Sequence, residues 1–337
     1  MSDSAPSSER PSAPPRSWLS RLMKSGALID LAGLAIVLLA IVAVFSWLSP
    51  RFFSQATLAT IMNQIPALTI LATGMTIVLI SGGIDLSVGS LVAFSSAALG
   101  IVMAKYNQPL WLAIPAAIAA GSLFGLINGS VTVFGRIPSF IVTLGTLQIA
   151  RGCAYLATSK STIYLNRSVQ VLTDRIAGIG LSPAAVSAML IVVLGQLLLT
   201  RTVFGRYCVA IGTNESAVRM SGVDTRWTRI FVFVLCGALA GMAGVIESSR
   251  LSAVDPNGAA GRELQAIAAA VIGGTSLMGG RGSVIATLFG VLIMAVLESG
   301  LGQVGAQEEI KNLVTGSAIV VAVLFDSWRH RGTRRTS

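Results

Sequence analysis

Ile61-Met62-Asn63-Gln64-Ile65-Pro66-Ala67-Leu68-Thr69-Ile70-Leu71-Ala72-Thr73-Gly74-Met75-Thr76-Ile77-Val78-Leu79-Ile80 runs straight into Ser81-Gly82-Gly83-Ile84-Asp85-Leu86-Ser87-Val88-Gly89-Ser90. The first part is uncharged and has the roughly 20-residue length that a helix needs to cross the hydrocarbon core of a bilayer. The second part frees the backbone from helical geometry with three glycines around one carboxylate. A charge beside a span is costly against lipid, so Asp85 has to face protein, water or the membrane edge. It reads either as a gate or partner-surface residue, or as a helix cap shared with Ser87.

Apolar runs of similar length recur along the chain. The first is Leu28–Leu48, and others follow near 86–104, 110–133, 137–157, 182–200, 230–249, 263–278, 284–298 and 311–326, making ten expected spans. The composition agrees. Of 337 residues 53% are hydrophobic and 11% charged, against about 25% charged in an ordinary soluble domain. A soluble fold would have to expose much of that apolar surface, whereas lipid removes the requirement. The expectation is an all-α polytopic membrane protein with a membrane domain over 26–327. A Ser-, Pro- and Arg-rich tail (1–25) reads as disordered, and a short basic tail (328–337) follows the last span.

An even number of spans puts both ends on one side. Fifteen of the 24 Lys plus Arg residues, among them Arg21, Lys24, Arg201, Arg206, Arg219, Arg226 and Arg229, lie in segments this map assigns to the inside. The positive-inside rule therefore favours cytoplasmic termini. Topology and anionic lipid, rather than nucleic acid, account for the net charge of +10.

Several chemistries are excluded. The single histidine, His330, lies in the basic tail, which removes Ser-His-Asp, Cys-His and HExxH sites from the fold. Cys153, Cys208 and Cys236 have no CxxC or zinc spacing, so no metal site is expected. A P-loop needs GxxxxGK followed by Ser or Thr. Only Lys24-Ser25 and Lys160-Ser161 supply its end, preceded by Met23 and Ser159 where glycine is required. The chain is not expected to bind ATP in that way.

Three further patterns stand out. Ile272-Gly273-Gly274-Thr275-Ser276-Leu277-Met278-Gly279-Gly280-Arg281-Gly282-Ser283 is a second glycine break, faintly like the first. Paired breaks point to an internally repeated transport fold, or else to two tight turns. Gly121, Gly125 and Gly129, and separately Gly237 and Gly241, carry the GxxxG spacing of closely packed membrane helices, read as packing within the chain in preference to a subunit contact. In the long inside loop 201–229, Thr213 or Asn214 can cap a short helix, Glu215 suits its first turn, and Gly222 can end it. That predicts about two turns with Ala217, Val218 and Ser221 on one side, either a partner-docking helix or a connector on the membrane surface. Glu247, Glu298 and Asp326 fall near span ends and read as interfacial residues.

The order and spacing of several segments resemble the ribose-type permease subunits of bacterial ATP-binding-cassette importers, within the branched-chain amino acid/ribose permease superfamily. The matching pieces are Gly82-Gly83-Ile84-Asp85-Leu86-Ser87-Val88-Gly89, Asn128-Gly129, Ile137 to Thr146, Arg151-Gly152, Gly212-Thr213-Asn214-Glu215, Ser221-Gly222, and Ala266 to Leu277, covering about residues 50–327. Ser139 stands where the family usually has a second proline, and Gln265 lies where an aspartate is usual.

The resemblance implies a transport subunit, not an enzyme, in a bacterial inner membrane. It implies a second permease chain, a separate ATPase that binds ATP and Mg, a periplasmic sugar-binding protein, and no cofactor on this chain. It also implies that Asn214, Glu215, Ser216, Ala217, Arg219 and Gly222 belong to a coupling helix docking on the ATPase. A neutral polyol is held by hydroxyl and amide groups. Asn63, Gln64, Asp85, Asn128, Thr143 and Thr146 are therefore expected along its path, the alternative being hydrogen bonds between helices. Related importers of nucleosides or branched-chain amino acids, and a secondary transporter that needs no ATPase, are the rival readings.

Overall fold

The computed structural model describes residues 26–176 and 180–333. The N-terminal tail expected over 1–25 lies outside the described residues. Eleven α-helices are described: α1 (Gly26–Leu48), α2 (Gln55–Ile80), α3 (Val88–Gly100), α4 (Leu110–Gly135), α5 (Ser139–Ala157), α6 (Pro183–Arg201), α7 (Val203–Met220), α8 (Thr225–Leu251), α9 (Arg262–Ile272), α10 (Val284–Gln303) and α11 (Glu308–Thr333). Two-residue strands β1 (Ile163–Tyr164) and β2 (Ala253–Val254) pair antiparallel. Among the described residues, eight helices are long and apolar enough to cross a membrane. The last expected span, 311–326, lies inside α11, which continues to Thr333 through most of the segment read as a basic tail.

Local chemistry starts and stops these helices. Ser54, Ser182 and Ser283 cap α2, α6 and α10 by accepting from the main-chain N–H three residues on. Arg136, in a left-handed conformation, ends α4. A single π-turn, Ile101–Lys105, carries α3 to the length of a full span.

The bundle is built around α2 and α8. Their inward faces supply Ile70, Leu71, Met75, Ile77, Leu79 and Phe233, all essentially inaccessible to solvent. The two GxxxG patterns meet across α4 and α8. A Cβ at Gly121 would overlap the Gly237 carbonyl, one at Gly125 the Phe233 carbonyl, and one at Gly241 would sit 2.6 Å from the Ala117 oxygen. The expected packing within the chain is thus observed, main chain against main chain.

Contacts define two ends of the bundle. At one, the strand end, β1 pairs with β2, Leu165 N donates to Ser252 O (2.9 Å), and Gln303 Nε2 donates to Thr57 Oγ1 (2.9 Å). At the other, the glycine end, Ile84 N donates to Ser139 Oγ (2.9 Å) and Val284 N to Gln196 Oε1 (2.9 Å). Helices α2 and α6 run toward the glycine end; α3, α5, α8 and α10 run away from it.

The expected span over 263–278 is not a continuous helix. Ala259 and Glu263 lie against Gly89, while Val254 lies against Gly100. Those two glycines are about 16 Å apart along α3 at 1.5 Å per residue. The chain after β2 therefore dips deep into the bundle as irregular backbone before α9 begins. Helix α9 then covers 11 residues, about half the thickness of the hydrocarbon core, and the second glycine break completes the crossing. Glycine at 273 and 274 cannot extend the helix cheaply, and Gly274 has φ +82°.

Candidate functional site

The first glycine break is held by side chains. Asp85 is completely buried, and its Oδ1 accepts from Ser87 N (2.9 Å) and Ser87 Oγ (2.6 Å). Asn128 on α4 reaches the same serine, Nδ2 to Oγ at 2.9 Å. From α5, Thr143 Oγ1 accepts from Leu86 N (3.1 Å) and donates to Ile84 O (3.2 Å). Thr146 Oγ1 donates back to Thr143 O (3.2 Å). Asp85, Asn128 and Thr143 thus form one network that binds the freed main chain at Ile84 O, Leu86 N and Ser87 N. Neither Asp85 nor Ser87 makes a side-chain cap on the N–H groups of α3; the carboxylate instead closes a turn onto Ser87 just before the helix, and Asp85 Oδ2 and Asn128 Oδ1 are enclosed without partners. Ser139, where the resembling family usually has proline, supplies the acceptor for Ile84 N.

Asn63 and Gln64 lie elsewhere, in the half of α2 nearer the strand end. Asn63 is exposed, and Gln64 Oε1 is enclosed with no hydrogen-bond partner. Gln64 shares a helix face with Leu68 and Leu71. Those two residues, with Val92, Ala243, Glu247 and Arg262, line a small cleft between α2, α3, α8 and the dipping segment. The six expected path residues therefore fall into two groups, one on α2 toward the strand end and one around the first break.

The dipping segment is secured by residues that the sequence reading placed elsewhere or passed over. Arg151 Nη1 on α5 donates to Pro256 O (2.8 Å) and Gly258 O (2.9 Å). Tyr155 Oη bonds Asn257 Oδ1 (2.6 Å). Glu247 Oε1 pairs with Arg250 (2.6 Å) and Arg262 (3.5 Å), and Arg262 also donates to Gln265 Oε1 (2.8 Å). Glu247 is thus an internal ion-pair partner in place of the expected interfacial group. Irregular backbone at membrane depth needs such partners, because lipid offers none. The turn-forming run Asp255-Pro256-Asn257-Gly258 was the available signal.

At the glycine end, α7 is two helices. Asn214 leaves helical geometry (φ −161°, ψ 93°), and its Oδ1 caps the second piece by accepting from Ala217 N (3.0 Å). Gly222, at φ +83°, closes that piece: Gly222 N donates to Arg219 O (3.0 Å) and Val223 N to Val218 O (3.4 Å), a Schellman arrangement. The expected short capped helix is present. Its outward side carries Ser216, Ala217 and Met220, the last 88% exposed, while Val218 is half-buried. Glu215 points back into the protein. Its carboxylate accepts from Arg219 (2.7 Å), Thr225 Oγ1 (2.9 Å) and Arg229 (3.0 Å), tying the piece to the first turn of α8. Burial works to raise its pKa, but Arg229, Thr225 and Arg219 together outweigh that and hold the carboxyl below its ordinary value.

Residues 57–323 match the family described as the permease component of branched-chain amino acid transport systems. The chain is 40% identical over 299 residues to the ribose import permease protein of Escherichia coli strain K12, covering 87% of this chain and 92% of that one. It is 33% identical over 303 residues to the fructose import permease protein of Rhizobium meliloti, covering 88% and 84%. It is 32% identical over 308 residues to the L-arabinose ABC transporter permease protein of Azospirillum brasilense, covering 91% and 90%. No solved structure matches the chain.

Proposed function

This chain belongs to the permease-component family of branched-chain amino acid transport systems, and we propose that it is the membrane-spanning subunit of an ATP-binding-cassette importer carrying a monosaccharide or related polyol. The observation that carries the reading is near full-length similarity to permeases named for ribose, fructose and arabinose. Energy comes from a separate ATPase subunit that binds ATP and Mg, and cargo from a periplasmic binding protein. Two permease chains pair in a bacterial inner membrane. The glycine end faces the cytoplasm: Arg136, Arg201, Arg206, Arg219, Arg226, Arg229 and Arg281 cluster there.

In this reading the short helix from Glu215 to Met220 docks on the ATPase through Ser216, Ala217 and Met220. Asn214 and Gly222 set its ends, and Glu215 and Arg219 fasten it to α8. The sugar passes Asn63 and Gln64 and the cleft beside the dipping segment. Asp85, Asn128, Thr143 and Thr146 shape the path by fixing the first break beside it.

The test is reconstitution in liposomes with the co-purifying ATPase and binding protein, followed by uptake of labelled pentoses, hexoses and leucine. The expected result is sugar uptake that requires all three components and ATP. Sugar uptake by this chain alone would identify a secondary transporter and overturn the reading. Uptake of leucine in preference to every sugar would move the cargo to the amino acid branch.

A further inference from the structure

Three segments far apart in sequence meet at the glycine end mostly through main chain, with the Thr213 side chain beside it. Gly280 N donates to Ile80 O at 2.8 Å, so the second break caps the end of α2, where the first break begins. A Cβ at Gly212 in α7 would overlap that same Ile80 oxygen. A Cβ at Gly279 would lie 2.8 Å from Gly212 O and 3.0 Å from Gly82 Cα, and one at Gly280 would strike Thr213 Oγ1. Gly82, Gly279 and Gly280 have φ of +79°, +86° and +76°, so their lack of a side chain serves conformation as well as space. Asn214, where α7 kinks, follows Gly212 with only Thr213 between them.

We propose that these four glycines form the joint through which the ATPase moves both broken segments at once, with Gly212 as its positioning residue. The inference rests on the reading of α7 as the docking segment and goes beyond it. The outer piece of α7, held to α8 by Glu215, takes up the displacement. Gly212 lies just across the kink and touches both breaks. Interposed side chains could absorb a small movement by changing rotamer; close-packed main chain cannot, and passes it on. The two breaks then rearrange together, although the first is attached to α3 and the second to α10.

The experiment uses the full importer in liposomes. Gly212→Ala should leave the ATPase bound to the permease. It should lower transport per ATP hydrolysed about ten-fold, the size of a typical coupling free energy. Gly316→Ala, where a Cβ meets nothing within 4 Å, serves as the control and should couple normally. Normal coupling in Gly212→Ala overturns the joint. A second measurement needs no variant: amide exchange in the wild-type complex, with and without a non-hydrolysable nucleotide. Amides of 82–87 and 279–283 should change protection together; a change confined to one break overturns the proposal. Failure of the wild-type permease to retain the ATPase is a different outcome, which sinks the functional reading and the joint with it.

Discussion

Ser81–Ser87 and Gly273–Ser283 interrupt the apolar pattern with similar residues, yet different forces hold them. The first is clamped by side chains from three elements: Asp85 within the break, Asn128 from α4, and Ser139 and Thr143 from α5. The second relies more on main chain, with Ser276 Oγ accepting from Met278 N (3.2 Å) and Gln196 Oε1 accepting from Ser283 Oγ (3.2 Å) at its end. Ser276 N donates to Arg281 O (3.0 Å), Thr275 N to Ala270 O (3.0 Å) and Gly280 N to Ile80 O (2.8 Å). One break is specified by polar groups that a substitution can remove, the other mainly by the absence of Cβ atoms. The likeness in sequence reflects a shared need for non-helical backbone inside the membrane, and the difference reflects what each break touches.

The largest effect is expected at Asp85. Replacing it with alanine strips the acceptor from two buried donors on Ser87, a loss of about 2–4 kcal/mol. The thermal unfolding midpoint in detergent should drop by several degrees and transport should be lost. Asp85→Asn keeps an acceptor and should recover most of the midpoint; an alanine variant as stable as wild type would mean that the clamp does not hold the break. Gly279→Ala comes next. It forces a left-handed alanine, costing about 1–2 kcal/mol, and crowds Gly212 and Gly82, so coupling should suffer more than stability. A variant that is destabilised yet fully coupled would place the second break outside the joint.

The smallest effect concerns Glu215, which holds the docking piece of α7 beside that joint. Its folded pKa is depressed, so its contribution is complete above the ordinary value of 4.5 and disappears as the pH falls through the lower folded value. Melting curves of wild type and Glu215→Gln should differ at neutral pH and converge in acid. A gap that persists below the folded pKa, where both states are protonated, would assign the stabilisation to packing, leaving no role for the charge.

Much of this was legible beforehand. Long uncharged runs mark membrane helices whatever their neighbours, and the caps around Asn214 and Gly222 are local chemistry. The GxxxG pairs were readable as close-packing surfaces, though not as each other's partners. The dipping segment was missed because the alanine-rich run 266–271 is as apolar as a true span, and hydropathy does not register where a helix starts in depth. Glu247 was misjudged for a related reason: a charge near the end of an apolar run looks interfacial until the chain that folds back over it is seen.

The residues alone determined that this chain lives in lipid, where its glycine breaks fall, and that it carries a capped helix among basic residues. Those properties follow from burial and backbone preference within a few turns of chain. Only the folded structure decided that Gly82, Gly212, Gly279 and Gly280 share one point, and that Asp85 braces its own break with help from α4 and α5. Contacts between segments forty-one or more residues apart, as for Ser87 and Asn128, depend on how whole helices pack, and no local pattern records that distance.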